Sequence, residues 1–205
     1  MRKSGSLLLA SAFLLSSCSS NRVVVKHVPE AGRKVRVAVL PFKDAPGAPG
    51  SGQSASDALT SELLKIPSYE IIERGAMDQL MKEQNLSLTG AISQQTAASL
   101  GQLLGADALV VGAVTEYQER DAMIFPPAKA GVSARMVSAA SGTVEWSGGH
   151  SVGWHPVKWI SCIFWPLGAF WLVTSPSVED RLGKASRGLA AAVAAQTSKA
   201  LHQKP

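Results

Sequence analysis

Two short runs constrain this chain more than anything else in it. Val35-Arg36-Val37-Ala38-Val39-Leu40-Pro41-Phe42 and Ala108-Leu109-Val110-Val111-Gly112-Ala113-Val114 are almost continuously apolar and rich in β-branched residues. A strand with one wet face alternates apolar with polar, whereas a strand covered on both faces reads like these two. Covering both faces takes helices, and the residues between the runs have helical spacing. Ser54 to Lys65 places Ala55, Ala58, Leu59, Leu63 and Ile66 on one side and is stopped by Pro67. Gly75 to Gln84 does the same with Met77, Leu80 and Met81, and Ser93 to Leu104 with Ala97, Leu100, Leu103 and Leu104, closed by Gly105. Tyr69 to Glu73 supplies a strand between the first two helices.

Beyond this core, Val132 to Val137 alternates, Ala140-Ser141-Gly142 turns the chain, and Thr143 to Ser147 returns, which predicts a hairpin extending the sheet antiparallel. Val178 to His202 is helical throughout, with an alanine-rich face carrying Leu182, Leu189 and Val193. The expected fold is α/β: a single domain with an open mixed sheet of about five strands and helices on both faces. A chain of 205 residues can bury such a core without staples.

The N-terminus carries an address. Arg2 and Lys3 precede the apolar run Leu7 to Leu15, too short to span a membrane as a mature helix, so residues 1–17 read as a secretory signal peptide. Leu15-Ser16-Ser17-Cys18 resembles a bacterial lipobox. That resemblance implies cleavage before Cys18 and covalent lipid on it, a palmitate-bearing anchor of several acyl chains. Ser19, where aspartate would be the inner-membrane retention signal, implies the periplasmic face of the outer membrane. Residues 18–34, polar and basic around Pro29 and Gly32, read as a lipidated tether to a domain over 35–205. With Cys18 lipidated, Cys162 has no partner for a disulfide, and cysteine metal sites are excluded.

Charge and motifs argue against several functions. The formal charge is +5, and losing Arg2 and Lys3 leaves 18 basic against 15 acidic residues, a mature +3 too small to imply nucleic acid. The loop Lys43 to Gly52 is rich in glycine and proline, yet no Gly-Lys-Ser/Thr closes it, so it gives little support to a phosphate site. His150 and His155 flank Trp154 without a third ligand and read as surface histidines. No carboxylate pair with an evident pocket is present. No catalytic residue, metal, small-molecule substrate or cofactor other than the lipid is expected, and the chain reads as a non-enzyme.

Order and spacing of several segments carry a family resemblance. Val37-Ala38-Val39-Leu40-Pro41-Phe42, Ile72-Glu73-Arg74, Glu83-Gln84-Asn85-Leu86-Ser87-Leu88-Thr89-Gly90 and Leu104-Gly105-Ala106-Asp107 with Val110-Val111-Gly112 are similar to the CsgG-type family of curli production assembly and transport lipoproteins. Lipoprotein activators of cell-wall synthases of the LpoB type have a similar domain. Read physically, Glu73 and Arg74 end a strand, and Gly90, Gly105 and Gly112 are a turn, a helix end and a close packing point.

The resemblance implies two long insertions beside the hairpin in pore-forming members, each giving two strands to a shared barrel. The first insert here, Gln118 to Gly131, holds Pro126 and Pro127 and is too short for two crossing strands of roughly 9 to 11 residues each. The second, 148–176, contains Trp154, Trp159, Trp165 and Trp171, and its centre, Trp159 to Val173, has no charge. Pro166 and Gly168 break it, and it does not alternate as a barrel strand would. It is expected to dip into the lipid leaflet, with Trp154, Trp159, Phe164, Trp165, Phe170 and Trp171 as membrane contacts.

The resemblance as a whole implies an outer-membrane lipoprotein in protein secretion, acting in export or assembly of extracellular fibres as a homo-oligomer or with an envelope protein partner. The alternative is a periplasmic tethered lipoprotein that activates a cell-envelope enzyme such as a peptidoglycan synthase.

Overall fold

β2 (Val35–Val39) is the strand around which the other elements are placed. It lies between β3 (Tyr69–Ile71) and β4 (Ala108–Gln118) and is parallel to both. Its residues are buried from both sides: Val37 and Val39 belong to one core and Ala38 to the other. The computed structural model describes residues 19–26, 33–73, 75, 94–119, 128–153 and 177–202. Within these, α1 (Ser51–Leu63) connects β2 to β3, and α2 (Gln94–Leu104) precedes β4. The two parallel connections travel across the sheet in opposite directions. A fixed right-handed crossover therefore sends their helices to opposite faces. α1 packs over Val37, Val39 and Val110, and α2 over Ala38, Leu40 and Leu109.

β5 (Lys129–Ser138) and β6 (Val144–Val152) follow β4 as an antiparallel meander, and the sheet ends on β1 (Ser19–Val25). The full order is β1-β6-β5-β4-β2-β3. The long helix α3 (Val178–His202), with the bounds the sequence predicts, covers β1, β6 and β5 beside α1. Leu182, Ala185, Leu189 and Val193 form its inner stripe, with Leu182 and Leu189 among the largest fully buried side chains.

The sequence expectation of about five strands is met by a sheet of six, and the additional one is β1. Ser19–Val25 fall in the stretch read as tether, yet they pair antiparallel with β6 from Ser19↔Val152 to Val25↔Trp146. Val23 fills the core beside Leu189, and the side-chain amide of Gln196 on α3 donates to the Val23 carbonyl at 2.6 Å, capping an otherwise free edge group. The helix expected over Gly75 to Gln84 lies, after its first residue, outside the described residues, as do Arg74 and the Glu83 to Gly90 segment.

The motif residues earn their places structurally. α2 ends in a Schellman arrangement: Gly105 is left-handed at φ 61, Ala106 N–H donates to the Gly101 carbonyl at 2.8 Å, and Gly105 N–H to that of Gln102 at 3.3 Å. Asp107 then accepts the Arg36 backbone N–H at 2.9 Å on its carboxylate and returns its own N–H to the Arg36 carbonyl at 2.8 Å, fixing β2 against β4. Gly112 is the close packing point expected, since a Cβ there would lie 2.7 Å from the Phe42 ring.

Tyr69 on β3 is buried near Trp146 and Thr197. Burial, then the Glu145 carboxylate, push its phenol up to about 12 from the ordinary 10.0, against opposing contacts with Trp146 and Thr197. Above pH 10 the unfolded chain loses this proton while the folded chain keeps it, so stability falls between pH 10 and about 12. The slope is about 1.4 kcal/mol per pH unit. Urea melts across this range should show the decline in the wild type and a shallower one in Tyr69→Phe; parallel curves would contradict the assignment.

Candidate functional site

The antiparallel half of the sheet sorts its residues strictly by parity. On β5 and β6 the even residues Val132, Ala134, Met136, Trp146 and His150 are buried under α3 and α1. The odd residues face the other way, where α2 reaches only the corner at Leu109 and Val137. Among the described residues, the rest of that face is a shallow groove of about 550 Å³. Its floor is Ser133, Ser147, Gly149 and Ser151, with Arg22 and Val24 of β1 along one side and Thr115 and Glu116 along the other. Val24, 61% exposed, is one of two large apolar side chains left open to solvent among the described residues.

One end of this half gathers several segments. Ser19, the first residue of β1, pairs with Val152, which also pairs with Ala130, and Gln118 pairs with Lys129. The chain thus enters β1, leaves β6 and passes from β4 to β5 at the same end of the sheet. The Tyr117 phenol is pushed up by burial and by the carboxylates of Glu119 and Glu179, which sets the start of α3 at that end as well. The sequence-predicted sites Cys18, Trp154, Trp159, Phe164, Trp165, Phe170 and Trp171 lie outside the described residues, immediately before Ser19 or beyond Gly153.

The glycine-rich loop is arranged for a structural purpose. Asp44 accepts the Gly52 N–H at 2.6 Å and the Gly50 N–H at 3.1 Å, so its carboxylate sits where an anion at the start of α1 would have to sit. The Ser51 hydroxyl accepts the Ala45 N–H at 3.1 Å. These bonds extend α1 to Ser51, three residues before the expected start.

His150 corrects a sequence expectation. It is 8% exposed rather than on the surface, because its even position on β6 turns it under α3, where the imidazole occupies the space that a Cβ on Gly188 would take. Its Nδ1, the Arg181 Nε and the Ser186 Oγ are buried without a hydrogen bond among the described residues, and burial lowers the pKa of both His150 and Arg181. No group of three or more His, Cys, Asp or Glu side chains that could hold a metal occurs among the described residues. No described helix is long and apolar enough to cross a membrane. His155 lies outside the described residues.

A family model described as the curli production assembly/transport component CsgG matches residues 19–122. No curated protein matches the chain. Among solved structures, a PelC dodecamer from Paraburkholderia phytofirmans is 18% identical, covering 84% of this chain and 98% of that one, with a TM-score of 0.46. Lipoprotein GNA1162 from Neisseria meningitidis is also 18% identical, covering 69% and 99%, at 0.49. The LpoB C-terminal domain from Escherichia coli is 11% identical, covering 62% and 87%, at 0.45.

The His150 environment yields two measurable effects. Folding lowers its pKa from 6.5, so below about pH 6.5 the unfolded chain takes up the proton first, and stability declines until pH passes the lowered folded value. His150→Ala should remove that acid-side decline. Gly188→Ala should cost roughly 1–3 kcal/mol by overpacking the imidazole. In the His150→Ala background the same change should be neutral or favourable, because alanine is a better helix former by about 1 kcal/mol. Equal costs in both backgrounds, by urea melts, would rule the contact out.

Proposed function

The chain belongs to the CsgG family of curli production assembly/transport components, and from that membership we propose an outer-membrane lipoprotein that acts without catalysis in the export or assembly of extracellular fibres. It is anchored on the periplasmic face through lipid on Cys18, oligomerises, and binds secreted or accessory envelope proteins.

The observation that carries this reading is the β1–β6 register. Ser19 directly follows Cys18 and pairs with Val152, two residues before Trp154. Lipid on Cys18 would therefore hold the Ser19–Val152 end of the sheet at the bilayer, the same end from which the tryptophan-rich segment departs. The short loop between Gln118 and Lys129, which contains Met123-Ile124-Phe125, starts and finishes there too. The departure of two apolar sequence segments from one end supports a domain lying against the membrane. A strand beginning at Ser19 also leaves little chain for reaching across the periplasm, which weighs against the tethered activator. In favour of the activator, the β4–β5 connection spans only residues 119–128, too few for two membrane-crossing strands of about 9–11 residues each. The assembly role proposed here accordingly involves no barrel contributed by that loop.

The deciding measurement is the native mass of the full chain extracted in mild detergent, corrected for bound detergent by light scattering. A discrete ring-sized oligomer is expected, and a monomer would move the reading to the activator. Brominated lipid tests the membrane contact separately. Trp146 is buried in the core, so quenching reports the other four tryptophans. A large loss of fluorescence with a residual Trp146 component is expected, and untouched fluorescence would remove the membrane element. Cys18→Ala should release the chain from the membrane fraction.

A further inference from the structure

Resting on the reading that the protein works by binding other envelope proteins, we propose that the open face of β4, β5, β6 and β1 docks an acidic, extended polypeptide segment of its partner. The first observation is an unexplained glycine. Gly148 has an internal reason to be glycine, since a Cβ would come within 2.7 Å of Val23 and 2.8 Å of Leu189. Gly112 is likewise held by Phe42, and Gly131 by Thr115, 2.8 Å from its would-be Cβ. Gly149 has none. Its nearest neighbours would be the Val132 carbonyl oxygen at 3.5 Å and the Ser133 Cβ at 3.9 Å, ordinary contact distances, and its φ is not left-handed. A glycine in the middle of a strand weakens it, and where the fold itself does not require one, the bare backbone serves something that approaches from outside.

What approaches is indicated by charge and by unused donors. Gly149 lies in register between Arg22 and Ser133, and the neighbouring row runs Val24, Ser147, Arg135, Val111. Arg22, Arg135, Ser133, Ser147 and Ser151 make no side-chain hydrogen bond or ion pair among the described residues. The face also bears Lys26 and Lys129 against Glu116 and Glu145, and Glu145 already has an interaction of its own. Two free guanidiniums flanking β6, Arg22 in the groove and Arg135 beside it, suit carboxylates, which arginine binds in bidentate fashion, while the hydroxyls serve a main chain. The groove opens on the side wall of the sheet and reaches toward the Ser19 end only at Ser151, and its hydroxyls and guanidinium suit a polypeptide rather than the bilayer.

The test is fluorescence anisotropy of a labelled Gly-Ser-Glu repeat peptide titrated with the full chain in mild detergent, beside a Gly-Ser-Lys repeat of equal length. Saturable binding of the acidic peptide alone is expected. It should weaken at least ten-fold in Arg22→Glu/Arg135→Glu and in Gly149→Phe, with the melting temperature of Gly149→Phe equal to or above that of the wild type. Gly149→Thr, which adds less bulk, serves if the phenylalanine variant does not fold. Equal binding of both peptides, or undiminished binding by a folded Gly149 variant, overturns the proposal. So does competition by phosphatidylglycerol vesicles that disappears with the same substitution, because the face would then bind lipid. Native mass and membrane fractionation of these variants should be unchanged, so failure here leaves the proposed function standing.

Discussion

The structure depends on the confinement of β2. β3 pairs with Val35 to Val37 and β4 with Val37 to Val39, Asp107 holds the Arg36 N–H, and the buried half of the strand, Val37 to Val39, must be covered on both faces. Crossover handedness then separates α1 from α2, and each helix covers the face to which the connection delivers it. The antiparallel half is covered on one face, chiefly by α3 with α1 beside it, and α2 reaches the other face only at a corner. Parity decides which residues are spent on core and which are left uncovered among the described residues. Met136, Trp146 and Val132 go under α3, and Ser133, Ser147 and Ser151 do not. The open face is thus a consequence of topology before it is a site.

Much of this was legible because the relevant residues act through simple periodicities. The doubly buried β2 run, the helix-ending Gly105 and the whole of α3 stand in the sequence where the structure puts them. β1 was not, for a physical reason. An edge strand buries one face against a single neighbour, and here half of it is Ser19-Ser20-Asn21-Arg22, which by composition is indistinguishable from a solvated linker. Only Val23-Val24-Val25 carried a strand signal, and a three-residue run beside a signal peptide is weak against it. The candidate site suffers the same limit. Cross-strand neighbours such as Arg22, Gly149 and Ser133 lie far apart in sequence, and no local pattern reveals that they share a row.

His150 shows where composition misleads. A histidine among glycine, serine and tryptophan reads as surface, but parity on β6 is set by Trp146, the largest fully buried side chain, four residues earlier. Fixing the indole inward fixes the imidazole inward, and Gly188 yields the space. The cost is visible on the helix side, where a mid-helix glycine and the orphaned Nδ1, Arg181 Nε and Ser186 Oγ all detract from the docking of α3.

That cost bears on how the two faces of the antiparallel half are coupled. α3 is the only described helix over β6 and β1, and its buried side mixes Leu182, Leu189 and Val193 with alanine and small polar residues. Among the described residues it holds β1 through Val23 in the core it shares with Leu189, through Val25 at the edge of that core, and through the bond of Gln196 to the Val23 carbonyl. The same strand presents Arg22 and Val24 to the open groove. The position of Arg22 relative to Gly149 is therefore set from behind, by a helix docked with unsatisfied polar atoms, and from one end, by whatever holds the residue before Ser19. A segment bound across β1, β6 and β5 would tie down the edge strand, which pairs only with β6, so that occupancy of the groove and seating of the helix reinforce each other through β1.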